Sequence, residues 1–451
     1  MVRQIKKYKM HKQKEKYGIF NKRLSMLLRP SIIYLASIIA WLPHIINPRD
    51  YGDQLAETIS HKIICNPGII HTGWPINSTD IGASLGSFSP TITGYIVIKL
   101  SCLSSNMMGI TTIAAYTLIG IGITSFLTYY CARLIGLSET VSSIIGFGMC
   151  TAPCAFSRYG HIQLAQMWCI MPCIVTCICL IARGKSSQNG LIENKFKYWT
   201  GLVLGIASFT AQEYYAVFSV MMVASCYVVG ALIEKRGSDQ LSCNRNVTQK
   251  DKVPVKIILQ KLRDVFISKK YISIALGYIG VMILVLYSKY LWGIPEWSGA
   301  ATVRSPYEQF LYGFWPINFI TSPLYNEQLV RTLGANRLPV TETPFNSSSG
   351  IVVIFAVILF ILDIIFKRDS QRSVNNNVEV LKTSTIIVFG VASFIALVFC
   401  VAGGMGTLFA VYISPQLRAL NRITPYFYSA ALCYFAIYIE TIHKRLRGSN
   451  T

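Results

Sequence analysis

The feature that most constrains this chain is a series of apolar runs, most of them long enough for a helix that crosses a lipid bilayer. Crossing the hydrocarbon core, which is roughly 30 Å thick, takes about 20 helical residues. We identify ten runs, of which the short one at 199–211 has the length of a broken span. The runs are 31–47, 107–130, 140–157, 164–183, 199–211, 213–233, 271–291, 350–366, 384–402 and 424–442. They predict an all-α membrane protein with about ten transmembrane helices.

The proportion of charged residues excludes a soluble enzyme. Charged residues make up only 14% of this chain of 451 residues, whereas a soluble domain has about 25%. So few charges do not cover the surface of a globule of this size. The hydrophobic fraction of 52% also excludes a disordered chain, because disordered chains are poor in apolar residues.

The basic residues orient the predicted spans. The net charge is +22, and 32 of the 42 Lys and Arg residues fall in six segments that an even alternation of ten spans puts on one side. These segments are 1–30, 131–139, 183–198, 234–270, 367–383 and 443–451. Cytoplasmic loops of membrane proteins are rich in Lys and Arg. The charge therefore predicts that both termini are cytoplasmic, and it does not indicate nucleic-acid binding.

The segment 84–104 is less apolar than the ten runs and contains Lys99. Counting it as a span would place the basic loop 234–270 outside, against the positive-inside rule. We therefore predict an interfacial helix on the outer side. The N-terminus shows no cleavable signal, because it is a long basic arm and no small-residue cleavage site follows the first run.

The predicted topology divides the chain into four parts. A basic cytoplasmic arm, 1–30, precedes a transmembrane module, 31–291, that contains a first outer loop, 48–106. A second outer loop, 292–349, is followed by the C-terminal spans of 350–451. Nine acidic residues lie in the outer segments, so chemistry that needs carboxylates is expected on the outer face.

The thirteen cysteines do not indicate a metal site. No paired CxxC motifs are present, and only Cys65 and Cys102 fall in outer loops, so we see neither a structural zinc site nor a disulfide framework. Cys169, Cys173 and Cys177 recur every four residues. This spacing predicts small packing residues that face a neighbouring helix.

Two carboxylates follow the first span. Asp50 and Asp53 are placed at the outer membrane surface, where a partly desolvated carboxylate can act as general base for a hydroxyl nucleophile. The alternative for each is a solvated Asp that caps a helix.

Four further polar residues lie where the chain meets the outer surface. Arg158 and His161 follow the third span, and ionisable residues at membrane depth usually face a cavity or a partner. The alternatives are snorkelling of Arg158 to lipid phosphates and an interfacial hydrogen bond for His161. Glu213 and Tyr214 interrupt the apolar run 199–233, so Glu213 either faces a water-filled cavity or simply ends a span.

Two arginines precede the last span. Arg418 and Arg422 are four residues apart, so on an α-helix they share one face. Two guanidinium groups there form a clamp for phosphate oxygens. The alternative is contact with lipid headgroups.

The layout and several short motifs resemble the GT-C superfamily of polytopic membrane glycosyltransferases, and the local match is best to bacterial members. The motifs are Gly52-Asp53 followed by Trp74-Pro75, Ser157-Arg158-Tyr159-Gly160-His161, Tyr214-Tyr215, and Pro415…Arg418…Arg422. Within that superfamily, the chain is most similar to the serotype-converting glucosyltransferases that modify the O-antigen of lipopolysaccharide.

The resemblance implies a function and residue roles. Such enzymes transfer a sugar, here expected to be glucose, from a polyprenyl-phosphate donor to an outer-face acceptor such as O-antigen polysaccharide or another lipid-linked glycan. Asp53 is then the base that deprotonates the acceptor hydroxyl, and Arg158, Arg418 and Arg422 bind the leaving phosphate. The residues that contact acceptor or donor are Asp50, His161, Glu213 and Tyr214.

The resemblance also implies a location, the bacterial inner membrane, with the active site on the periplasmic face and membrane lipids as neighbours. No organic cofactor is expected. Asp50-Tyr51-Gly52-Asp53 is not a DxD motif, so no metal ligand is assigned and the requirement for a divalent metal stays open.

Three other functions compete with this hypothesis. A lipid-linked sugar flippase or other polytopic transporter usually has internal repeats and ionisable residues near mid-membrane. We find no repeat, and Asp363 is the only acid well inside a predicted span, close to its cytoplasmic end. A non-catalytic assembly factor predicts that every outer acid is dispensable. An acyltransferase is disfavoured because no paired His and acidic motif lies in the spans.

Overall fold

The described part of the chain is 91% helical. The computed structural model describes residues 27–43, 45, 92–156, 167–183, 213–243, 313, 350–366, 376–401, 403–412 and 420–448. Within these ranges no strand occurs, so the predicted all-α class is confirmed there.

Eleven α-helices run through the described ranges. In chain order they are α1 (Leu27–Pro43), α2 (Ile92–Met108), α3 (Thr112–Leu134), α4 (Glu139–Cys150), α5 (Pro153–Phe156), α6 (Ile170–Arg183), α7 (Glu213–Cys243), α8 (Gly350–Phe366), α9 (Asn376–Phe394), α10 (Met405–Tyr412) and α11 (Thr424–Gly448). A π-helix, Ile395–Cys400, continues α9, and a 3₁₀ helix, Leu420–Ile423, leads into α11.

Among the described residues, two helices are long and apolar enough to cross a membrane, at Ala114–Leu134 and Val380–Cys400. Four shorter apolar helices also match predicted runs: Leu27–Pro43, Ile170–Ala182, Val217–Ile233 and Gly350–Leu362. The predicted run 140–157 is divided between α4 and α5. The runs 199–211 and 271–291 lie outside the described residues.

Local sequence signals explain several helix ends. Thr111 caps α3, since its side chain accepts a hydrogen bond from the Ala114 amide at 3.2 Å, and Ser138 caps α4 in the same way. Gly109, with φ of 65°, follows the last residue of α2 and begins the connection to the cap of α3. The predicted run 107–130 therefore begins as a helix only at Thr112.

The predicted interfacial segment 84–104 overlaps α2, and its residues 84–91 lie outside the described ranges. α2 packs against α3 and is joined to it by three residues. Leu100, Leu103 and Met107 are exposed on α2. Partial burial lowers the pKa of Lys99 from its usual value.

α11 is the central helix of the described bundle and packs against α4, α6, α8 and α9. Its aromatic side chains Tyr426, Phe427 and Tyr434 are fully buried. The Phe427 ring stacks on Phe389 of α9 with centroids 5.0 Å apart. This helix therefore fixes the position of its neighbours, including the segment that carries Arg422.

Contacts between helices fix their relative directions. α4 runs antiparallel to α11, because the Tyr428 hydroxyl donates to the Gly148 carbonyl at 2.9 Å while the Ser138 amide donates to the Glu440 carboxylate at 3.0 Å. α1 runs parallel to α4: Arg29 Nε lies 2.7 Å from Glu139 Oε2, and Trp41 Nε1 donates to the Cys150 carbonyl.

α6 and α7 run parallel to each other. The Cys173 thiol donates to the Ser219 carbonyl at 3.8 Å. Farther along, a Cβ atom on Gly230 would lie 2.6 Å from the Leu180 carbonyl oxygen, so the two backbones approach closely there. Small residues permit such close helix packing within membranes.

These directions give the bundle two distinct ends. We call one the ionic end, which contains Arg29, Glu139, Lys382 and Glu440. We call the other the tyrosine end, which contains Trp41, Cys150, Tyr215 and Tyr426.

The cysteines confirm one prediction and contradict another. Cys173 and Cys177 on α6 and Cys169, which immediately precedes it, are fully buried, and α6 packs against α7. The expectation of no disulfide is wrong for Cys102, which is disulfide-bonded. Spacing along a sequence does not reveal which cysteines meet in space.

Candidate functional site at the tyrosine end

Most of the predicted site residues lie outside the described part of the chain, and their roles stay predictions. These residues are Asp50, Asp53, Arg158, His161 and Arg418. Glu213 and Tyr214 form the first turn of α7, where the backbone is described. Arg422 lies in the 3₁₀ helix Leu420–Ile423 and is partly buried.

The elements that carry these three residues meet at the tyrosine end. The 3₁₀ helix Leu420–Ile423 packs against α7. Immediately after it, Tyr426 hydrogen-bonds Tyr215, one residue beyond Tyr214. The structure thus brings the start of α7 and the Arg422 segment to one end of the bundle. The predicted pairing of Arg422 with Arg418 stays a prediction.

Tyr426 connects α11 to α7 at this end. Its hydroxyl donates to the Tyr215 carbonyl at 2.5 Å and lies 2.7 Å from Ser219 Oγ. Because the Tyr426 proton is directed at the carbonyl, the Ser219 hydroxyl is the donor in the second bond. The rings of Tyr215 and Phe218 surround Tyr426, with centroids 6.1 and 6.2 Å from its own.

The contacts around Tyr426 and Ser219 also extend to α6. The Cys169 side chain, immediately before α6, lies close to Tyr426, and the Cys173 thiol of α6 donates to the Ser219 carbonyl. Side chains of α6, α7 and α11 are therefore joined in one buried polar network. Such a network rigidifies its surroundings when every member has a partner. Its role here is to hold the start of α7, and the chemistry is expected from residues around it.

The turn before α11 is also fixed by buried polar groups. Asn421 and Thr424 are buried, and the Thr424 hydroxyl donates to the Asn421 carbonyl at 2.8 Å. Leu420 is fully buried against the glycine-rich start of α10, where a Cβ atom on Gly406 would also lie 2.5 Å from the Phe399 carbonyl oxygen. Arg422 therefore belongs to a well-anchored turn.

Sequence reasoning missed Tyr426 and Ser219. The signal for Tyr426 was its place in the predicted span 424–442, since a buried Tyr hydroxyl usually finds a hydrogen-bond partner. The identity of that partner was not available, because Ser219 is 207 residues away along the chain.

The ionic end holds a second set of polar contacts. The Glu440 carboxylate, in a residue only 3% exposed, accepts from the Ser138 amide with both oxygens, at 3.0 and 3.3 Å. It lies at the N-terminus of α4, where negative charge is favoured. The Arg133 guanidinium donates to the Leu137 carbonyl, and Lys382 Nζ lies 4.8 Å from the Tyr438 ring centroid. These contacts anchor helix ends.

An open apolar groove of about 500 Å³ lies between α1 and α3. Its lining includes Tyr34, Gly122 and Phe126. A groove of this composition accommodates hydrocarbon.

Apolar side chains point outward along several helices. On α8, Ile351, Phe355, Ile358 and Leu362 are exposed at intervals of three and four residues, while Val353 and Ala356 are buried. A soluble helix would present polar residues on its outer face. Among the described side chains, no group of three or more His, Cys, Asp or Glu residues is arranged to hold a metal ion.

Comparison with models of protein families, with curated proteins and with solved structures finds no match to this chain.

Proposed function

We propose that this protein is a polytopic membrane glycosyltransferase. It transfers a sugar, glucose in the first instance, from a polyprenyl-phosphate donor to an outer-face acceptor such as O-antigen polysaccharide. The observation that carries the proposal is the meeting of the Glu213 turn and the Arg422 turn at the tyrosine end, around the buried Tyr426. A helix turn that begins with Glu213 and a turn that carries Arg422, brought to one end of an apolar bundle, supply residue types that suit a sugar phosphate, which has hydroxyl groups and negative charge.

A membrane location is supported by the two helices of sufficient length and by the exposed apolar stripe of α8. Large contiguous apolar surfaces are rare on soluble monomers. We place all ten predicted spans in the membrane of a bacterial cell, with lipid against the outward-facing apolar residues.

The helix directions support the proposed topology. With the ionic end cytoplasmic and the tyrosine end periplasmic, α1 and α4 run outward whereas α3, α6, α7 and α11 run inward, as the alternation of ten spans requires. Parallel neighbours such as α6 and α7 need a return crossing between them, and the predicted broken span 199–211 supplies it. Both termini are then cytoplasmic.

The proposed reaction is a direct substitution at the anomeric carbon. The Asp53 carboxylate takes the proton of the acceptor hydroxyl, whose oxygen attacks the anomeric carbon as the bond to the donor phosphate breaks. Arg158, Arg418 and Arg422 stabilise the negative charge that the leaving prenyl phosphate acquires. Asp50, His161, Glu213 and Tyr214 contact the sugars.

The test is mass analysis of the surface polysaccharide from a bacterial host, with and without this protein. Transfer predicts that each modified repeat unit gains the mass of one hexose residue. A flippase or other transporter predicts an unchanged repeat unit with an altered amount of surface polymer. A polysaccharide unchanged in both mass and amount contradicts the proposed function in this host.

A further inference from the structure

The chain makes an abrupt turn at the tyrosine-end terminus of α9. The π-helix that extends α9 ends at Cys400, and Val401 is extended, with φ of −62° and ψ of 143°. Gly403 has φ of 80°, a conformation that favours glycine. A Cβ atom on Gly404 would lie 2.7 Å from the Val398 carbonyl oxygen, so glycine is required for the close approach as well.

After the turn, α10 packs back on the helix that it follows. The rings of Phe399 and Phe409 lie 6.4 Å apart, and Gly406 approaches the Phe399 carbonyl. The small residues Gly406, Thr407 and Ala410 form the buried face of α10. The helix is therefore docked on the end of the span and does not extend it.

The opposite face of α10 is apolar and exposed. Met405, Leu408, Val411 and Tyr412 are exposed by 57, 55, 51 and 81%. These positions recur every three or four residues, as one face of a helix does. In water such a face would be costly, because about 25 cal/mol is lost for each Å² of apolar surface left exposed.

The sequence around α10 contains no charge. From Thr383 to Leu417, 35 residues, no Asp, Glu, Lys or Arg occurs. A continuous helix of that length would be about 52 Å long, far more than the roughly 30 Å of the hydrocarbon core. The turn at Gly403 resolves this mismatch by folding the surplus apolar length back beside the span.

We propose that α10 is an interfacial helix whose Met405, Leu408, Val411 and Tyr412 face contacts the acyl chains of the outer leaflet. The inference rests on the membrane orientation in the proposed function. The face continues the apolar surface of the preceding span, where Phe394 and Leu397 are also exposed. Helices with one apolar face commonly lie in the interface plane.

Lipid is favoured over a second copy of the chain as the occupant of this face. The face consists of four side chains on a helix of eight residues, whereas a stable interface takes roughly 20–30 residues from each partner. Lipid also explains why the chain stays uncharged until Arg418, which is then placed at headgroup level together with Arg422.

The test uses a benzophenone amino acid placed singly at Leu408, Leu397 or Phe409 of the full-length protein in native membranes. Illumination is followed by mass analysis of the adducts. The proposal predicts phospholipid adducts at Leu408 comparable to those at Leu397, which lies on the span. At Phe409, which faces Phe399, it predicts crosslinks within the chain and little lipid adduct.

Each other outcome overturns the inference. If Leu397 gives lipid adducts and Leu408 gives a crosslinked dimer or none, α10 is not an interfacial helix although the span is correct. If neither Leu397 nor Leu408 gives lipid adducts, the membrane orientation fails together with the inference.

Discussion

At the scale of single residues, Tyr426 is the side chain on which the tyrosine end depends. It joins α7 and α11 through Tyr215 and Ser219, and Cys169, immediately before α6, lies close to it. A buried polar group that loses its partner keeps the cost of its desolvation. We therefore expect the geometry around Glu213 and Arg422 to be sensitive to the Tyr426 hydroxyl.

Replacing Tyr426 with Phe removes the hydroxyl and leaves the ring in place. We predict a loss of about 1–3 kcal/mol in the free energy of unfolding, because the Tyr215 carbonyl and the Ser219 hydroxyl lose a buried partner. Thermal unfolding of the detergent-solubilised protein measures this as a lower midpoint. The control is Tyr412→Phe, at a residue that is 81% exposed, which should leave the midpoint unchanged. Equal midpoints for the two variants would contradict the assigned network.

Glu440 has the corresponding role at the ionic end. Replacing it with Ala removes both acceptors of the Ser138 amide and the negative charge at the N-terminus of α4. We predict a loss of about 1–3 kcal/mol in stability. Glu139→Gln is the control: its partner Arg29 forms an exposed ion pair, and exposed pairs contribute only about 0–1 kcal/mol. A larger loss in the Glu139 variant would show that this ranking is wrong.

At the scale of elements, the turn between the π-helix and α10 is the most demanding piece of backbone among the described residues. It combines extended Val401, Gly403 with positive φ and the close approach of Gly404 to two carbonyl oxygens. π-helical segments often mark functional regions of helices. Here the segment ends where the chain turns back and leads on to the Arg422 turn.

Adding one methyl group tests this turn. In Gly404→Ala the new Cβ would lie 2.7 and 2.9 Å from the carbonyl oxygens of Val398 and Val401. We predict destabilisation of about 1–3 kcal/mol, since backbone atoms must move to relieve the overlap. Gly390→Ala, in the middle of α9, meets nothing within 4 Å and should be neutral or stabilising by up to about 1 kcal/mol. A Gly404 variant as stable as the Gly390 variant would refute the tight turn.

The bounds of several helices were predictable, and the contacts between helices were not. The apolar run predicted at 350–366 coincides with α8, and the run predicted at 213–233 begins where α7 begins, at Glu213. Hydropathy gave no indication that α7 would continue to Cys243 or that a glycine turn would follow Cys400. The bond from Ser138 to Glu440 joins residues 302 apart along the chain. Such pairs depend on packing, which local patterns do not contain.

At the scale of the whole molecule, the proposed orientation combines the charge pattern with the helix directions. The basic segments predict a cytoplasmic side, and the interhelical contacts gather Arg29, Glu139, Lys382 and Glu440 at one end of the described bundle. The opposite end gathers the Glu213 and Arg422 turns. The proposed function brings a donor in the outer leaflet to the tyrosine end.

The most direct test of the central claim is the Asp53→Asn variant, produced in the polysaccharide-modifying host beside the unaltered protein and the Glu139→Gln control. We predict that Asp53→Asn reaches the membrane in normal amount and adds no hexose to the repeat unit, because an amide does not accept the acceptor's proton. The Glu139→Gln control should retain the full gain in mass. Undiminished transfer by the Asp53 variant would contradict the proposed mechanism.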